Sequence, residues 1–229
     1  MQLPHRLTWS MCALMLAPAA LAAQTAADSG LFIVRHSGDT VATEHFSRTQ
    51  TSLQGTLALR NPKRTSQRYS AVVGPDATLP MIEITVREDA DSAQRADPRQ
   101  AKTRIVQRAR VIFKNDSASV DDVTGNGLTT RVFGTEPGAI PYLNLSFALL
   151  EQAIRRAQTQ VQGKRELAFF NLGGGQTLSA KLSPLAGDSL VLDIGKVEYH
   201  LKVDQRGRLL GGRIPTQDVL VERQGDGER

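Results

Sequence analysis

Three histidines beyond the first few residues, His36, His45 and His200, are the side chains suited to proton transfer or metal binding. No two of them stand one helical turn apart, as a zinc-binding helix requires. No Gly-x-Ser-x-Gly elbow marks a serine hydrolase. His45 follows Glu44 and His200 lies near Glu198, pairs that any β protein can bring together without catalysis. Asp28-Ser29-Gly30 spells the tripeptide of aspartic proteases, but a small polar stretch precedes it and no second copy exists to share a proton. Asp121 to Gly127 offers oxygen ligands without the calcium-loop spacing that ends in a Glu, and reads as a hairpin turn. Gly173-Gly174-Gly175 is followed by a polar strand rather than by the helix of a phosphate loop, and reads as another turn. These residues give no catalytic group, metal-ligand set or cofactor motif. Arg104, Arg108 and Arg110 alternate along one stretch, and three guanidiniums in a row can hold an anionic head group or carboxylate. A solvated sheet face accounts for them equally well.

The chain begins with the layout of a secretory signal peptide: His5 and Arg6, an apolar run from Leu7 to Leu21, and Ala20-Leu21-Ala22 as a small-x-small cleavage site. Cleavage is expected before Ala23, and the apolar run is short for a bilayer span. Cys12 is the single cysteine and lies within this leader, away from the cleavage point, so a lipoprotein anchor is not expected. The mature chain is then thiol-free, without disulfides or cysteine metal sites. Of 28 Lys and Arg the leader holds only Arg6, leaving 27 against 23 acids, a net +4. Basic residues are dispersed and aromatics are 5% of the chain, which argues against nucleic acid as a partner. The expected location is periplasmic or secreted, with no transmembrane segment in the mature chain.

The elements that must position any site are mostly strands. From Pro141 to Val161 an apolar stripe recurs at helical spacing through Leu143, Phe147, Leu150, Ala153, Ile154 and Ala157, widened by Tyr142, Leu145 and Leu149. Glu151 and Arg155 fall on the other side. This predicts one helix over about 142–161, with Pro141 near its first turn and Gly163 past its end. Elsewhere the pattern alternates, as in Leu53-Gly55-Leu57-Leu59 against Gln54-Thr56-Ala58-Arg60, with turns at Ser37-Gly38-Asp39, Asn61-Pro62, Gly74-Pro75-Asp76 and Asp204-Gln205-Arg206-Gly207. Residues 88–103 hold no large apolar side chain and read as a solvated loop. The predicted organisation is a signal peptide at 1–22, a loose tail at 23–30, one β-rich domain over 31–223 and a loose tail at 224–229. The predicted fold is mainly β: an antiparallel meander forming a curved sheet or half-barrel, covered or plugged by one long helix.

With its leader, its strand-only first half, its apolar helix and its closing hairpin at Tyr199 to Arg208, the chain resembles bacterial half-barrel lipoprotein carriers (LolA/LolB-like) and related exported proteins of the cell envelope. The likeness is architectural and carries no diagnostic motif. It implies a concave apolar face that receives acyl chains beside the helix. On that expectation Phe147, Leu150 and Ile154 meet Phe113 and Phe133 around a lipid or other apolar ligand, and Arg104, Arg108 and Arg110 engage its head group. Two other readings remain open: an envelope structural or assembly protein with a filled core and a protein partner, and a hydrolase without a familiar motif.

Overall fold

A computed structural model describes residues 28–60, 64–89, 103–159, 166–185 and 187–225. The leader, the Asn61-Pro62 turn, most of the polar loop after Glu88, and Gly163 lie outside these. Eight strands come first: β1 (Asp28–His36), β2 (Asp39–Arg48), β3 (Ser52–Leu59), β4 (Thr65–Val72), β5 (Met81–Asp89), β6 (Thr103–Lys114), β7 (Ser117–Thr124) and β8 (Gly127–Gly134). A short strand β9 (Ile140–Tyr142) leads into the helix α1 (Phe147–Thr159). The chain closes with β10 (Glu166–Asn171), β11 (Thr177–Pro184), β12 (Ser189–Ile194), β13 (Val197–Val203), β14 (Leu209–Ile214) and β15 (Val219–Gln224).

The fifteen strands among the described residues form one open, curved sheet in the order β8-β7-β6-β5-β4-β3-β2-β1-β15-β14-β13-β12-β11-β10-β9. From β1 at the middle of this sheet the chain meanders outward to the β8 edge. It then crosses to the β9 edge and meanders back until β15 pairs with β1. Every neighbouring pair is antiparallel except β9 with β10. The expected antiparallel meander with a single helix is the observed fold, and the sheet does not close into a barrel.

Period-two alternation explains why the sheet has a buried side. Leu53, Leu57, Ile82, Ile84, Val111, Leu201 and Val203 point into one core while their neighbours face solvent. The helix lies within the curve and touches β2, β9, β10 and β14. Phe147, Leu149, Leu150 and Ile154 are each at most 3% exposed. Burial of each is worth about 1.5–3 kcal/mol.

Three expectations need correction. The helix starts at Phe147, not Tyr142, because Ile140–Tyr142 pairs in parallel with Phe169–Asn171 of β10. A short apolar strand abutting a helix looks like one long periodic run, and Pro141 sits in that strand. Asp28–Gly30 is not a loose tail: it opens β1, paired with Phe46–Arg48. At the other end, β15 runs through Gln224, one residue into the expected tail.

Candidate functional site

The first two turns of α1 are buried all round, from Phe147 to Ile154, including Glu151 and Gln152. Glu151, assigned by periodicity to the solvent side, is fully buried. The sheet wraps the helix far enough that its polar face also meets protein. Glu151 is held by Arg48 of β2, by Arg223 of β15 at 2.8 Å, by Arg155 at 3.1 Å and by the Leu209 N–H at 3.0 Å. Asp28 joins the same cluster, accepting from Arg223 at 2.6 Å, Arg155 at 2.8 Å and Arg48 at 3.3 Å. Three guanidiniums against two carboxylates thus tie α1 to β1, β2 and β15. Arg48 and Arg223 also lie over the Phe46 ring, at 5.5 and 5.0 Å.

A second polar group sits at the start of the helix. Glu44 Oε2 accepts from the backbone N–H groups of Phe147 at 2.7 Å and Ala148 at 2.9 Å. Its Oε1 accepts from Ser146 Oγ at 2.5 Å and Tyr69 OH at 2.6 Å. Burial pushes the Glu44 carboxyl above its ordinary value, against the lowering effect of these four hydrogen bonds. Burial, with the neighbouring Glu44 charge, pushes the Tyr69 phenol well above its own. Two backbone N–H groups and two hydroxyls fill the acceptor sites of one carboxylate and cap the helix N-terminus. The cluster therefore acts as a clamp.

The aromatic residues expected to share one ligand cavity divide into two groups. Phe147 packs on Phe32 at 6.1 Å, and Phe32 stacks on Phe46 at 5.3 Å. Phe113 and Phe133 instead meet Phe170 of β10, at 5.6 and 5.8 Å. No ring contact joins Phe147 to Phe113 or Phe133 among the described residues. Phe32 sits in the alternating strand β1 and Phe170 in β10, where Leu167 to Phe170 are all buried, and neither carries a sequence mark that separates it from other core positions.

The three arginines do not share a face. A bulge pairs Val86 with Gln107 but Arg87 with Ile105, skipping Val106 and reversing the alternation. Arg108 and Arg110 stay on the outer face opposite Thr85 and Glu83, whereas Arg104 pairs with Glu88 on the inner one. Arg110 Nε lies 3.6 Å from Glu83 at an exposed position. His45 is exposed while Glu44 is buried, so that pair is separated by the sheet. His200 and Glu198 do bond, at an exposed place on β13.

Unfilled space beside the helix lies further along it. A recess of about 200 Å³ is lined by Ile154, Ala157 and Gln158 of α1 and by Leu182, Ser183, Pro184 and Leu190 of the β11–β12 hairpin. Of the predicted ligand residues it includes Ile154 alone. A larger open groove of about 630 Å³ lies across β13, β14 and β15, lined by Leu210, Leu220, His200, Lys202, Arg213 and Glu222 among others. Gly211, at φ +152°, lines this groove, and a Cβ there would meet the Val221 carbonyl oxygen of β15 at 2.5 Å. No described helix is long and apolar enough to cross a membrane.

No family model matches the chain, and no curated protein matches it. Among solved structures it is similar to a DUF1089 family protein from Pseudomonas aeruginosa, with TM-score 0.52 and 12% identity over 78% of this chain and 91% of that one. It is also similar to a beta-barrel-like protein of domain of unknown function DUF1849 from Brucella abortus, with TM-score 0.48 and 8% identity over 86% and 94%. At 12% identity the first likeness is one of fold.

Proposed function

We propose that the chain is an exported envelope protein that binds an apolar ligand, a lipid or acyl chain held by its end beside the C-terminal half of α1. The recess between Ile154, Ala157, Leu182, Pro184 and Leu190 is the observation that carries this reading. Its lining is mainly hydrocarbon, and it borders the C-terminal half of the helix. At about 200 Å³ it is smaller than the roughly 300–1,000 Å³ of pockets that enclose drug-sized ligands. A chain terminus therefore suits it better than a whole lipid. The rest of the ligand would pass out toward the exposed hairpin end at Leu185.

A second reading, an envelope structural or assembly protein with a filled core, is favoured by the complete burial of Phe147, Leu149 and Leu150. Titration with a fluorescent long-chain fatty acid separates the two. Saturable binding that weakens at least tenfold in Ala157→Phe, with unchanged circular dichroism, supports the ligand reading. Absence of saturable binding, or binding indifferent to Ala157→Phe, sinks it and leaves the filled core. Export has its own check: protein recovered from the periplasm or medium should begin at Ala23, and full-length protein confined to the cytoplasm would refute it.

A further inference from the structure

The two most exposed large hydrophobic residues among those described are Val132 at 70% and Leu128 at 67%, and both belong to β8. β8 is an edge of the sheet: among the described residues it pairs along one side only, with β7. Register places Leu128, Thr130 and Val132 on the outer face, opposite Val123, Asp121 and Ser119. Thr129, Arg131 and Phe133 take the inner face. There Phe133 packs on Phe170, and Arg131 lies over the Phe133 ring at 5.5 Å. At the far end of the strand Thr177 reaches across the gap in the sheet, with its Oγ1 3.4 Å from the Gly134 carbonyl oxygen and 2.8 Å from Thr135 Oγ1 just past the strand. A free edge with protruding apolar side chains is a template for another strand.

We propose that β8 pairs antiparallel with β8 of a second copy of this chain, about a two-fold axis through Thr130. Parity selects this register. In a continuous sheet, residues directly opposite must share a face, so the axis passes through a residue rather than between two. Centred on Arg131, the pairing sets two guanidiniums against each other. Centred on Thr129, it sets Leu128 against Thr130. Centred on Thr130, it places Leu128 opposite Val132 of the second copy, Thr130 opposite Thr130, and Arg131 opposite Thr129. Apolar pairs and Thr–Thr pairs stabilise such ladders, and no like charges oppose. The two side chains most exposed in the single chain cover each other twice over. A second copy thus supplies an apolar or Thr partner for each outward position from Leu128 to Val132.

Sedimentation of the full chain tests this, with crosslinking to read the register. The expected result is a monomer–dimer equilibrium at micromolar concentration, weakened at least tenfold by Leu128→Lys with Val132→Lys. Both positions are already exposed, so the single chain should fold unchanged. In a Cys12→Ser background, Thr130→Cys should crosslink to its own copy on mild oxidation, since directly opposed residues lie about 4.5–5.5 Å apart, within disulfide reach. Thr129→Cys should not, because it faces Arg131 of the second copy. A chain that stays monomeric, a dimer untouched by the two lysines, or equal crosslinking at 129 and 130 would overturn the proposal.

Discussion

Glu44 of β2 and Phe147 of α1 lie 103 positions apart in the chain, and the carboxylate of the first accepts a 2.7 Å hydrogen bond from the backbone N–H of the second. Ala148 donates to the same oxygen at 2.9 Å. The helix begins where a strand from the other half of the sheet supplies its acceptor. We predict that Glu44→Ala costs at least about 2–4 kcal/mol, since it strands buried donors, removes a cap and opens a void. Glu44→Gln should cost far less. Its oxygen can serve the two backbone N–H groups, and its amide can donate to Ser146 and Tyr69, both of which can accept. Urea unfolding of the two variants checks the ordering; equal losses would show that Glu44 acts by charge alone.

The same residue gives a pH signature. Its folded pKa lies above its ordinary value of 4.5, because burial penalises the charged form. Between those two values the folded chain binds a proton that the unfolded chain has released. Its contribution is therefore full below the ordinary value and is lost as pH rises through the folded one. Asp204 runs the other way: burial opposes it, but Arg208 and two backbone N–H groups hold it low, so its contribution is lost as pH falls. Comparing wild type with Glu44→Gln isolates the first effect. The stability of wild type relative to the variant should fall as pH rises from about 4 to 8. A flat difference would mean that folding leaves the carboxyl unshifted, and a rising one that the folded carboxylate is ionised throughout.

Much of the architecture was legible because it rests on local pattern. Alternation marked Leu53, Leu57, Ile82 and Ile84 as inward, and the helical stripe marked Phe147, Leu150 and Ile154 as buried. Amphipathic reasoning puts Glu151 on the solvent side because it assumes that one helix face meets water, and here arginines from β2 and β15 meet it instead. Asp28 looks like tail in the sequence for a related reason: its three arginine partners come from β2, α1 and β15. The reversal of Arg104 depends on one extra residue in β6, which alternation alone cannot reveal. Charged residues at odds with local pattern proved to be the ones tying distant elements together.

The buried ion cluster should respond to what is removed. Glu151→Ala leaves Arg48, 5% exposed, and Arg223, 8% exposed, with Asp28 alone as counter-charge. Breaking such a pair typically costs about 3–5 kcal/mol, whereas replacing both partners by apolar residues is often close to neutral. We predict that Arg48→Met combined with Glu151→Leu recovers most of the loss seen in Glu151→Ala. A double-mutant cycle on thermal unfolding reads this directly. A double variant less stable than either single change would show that the cluster contributes more than charge compensation.

Gly55 offers the sharpest packing test, since the expected sign is opposite to that of an ordinary strand glycine. Replacing a strand Gly by Ala usually gains about 0.5–1 kcal/mol, because Ala loses less freedom on folding. Gly55 of β3, however, lies directly across from Tyr69 of β4, and a Cβ there would run into the Tyr69 ring and hydroxyl. Tyr69 is 1% exposed and cannot swing into solvent without giving up its 2.6 Å bond to Glu44. Gly55→Ala should therefore destabilise by about 1–3 kcal/mol through overpacking, and it should also disturb the helix start that Glu44 holds. Gly134→Ala is the control: nothing lies within 4 Å of its Cβ position, so it should be neutral or mildly stabilising. In a Tyr69→Leu background the ring is gone, and the penalty of Gly55→Ala should shrink or reverse. If the penalty is the same with and without the ring, the close approach of β3 to Tyr69 is not its cause, and the link from Gly55 through Tyr69 and Glu44 to the helix is broken.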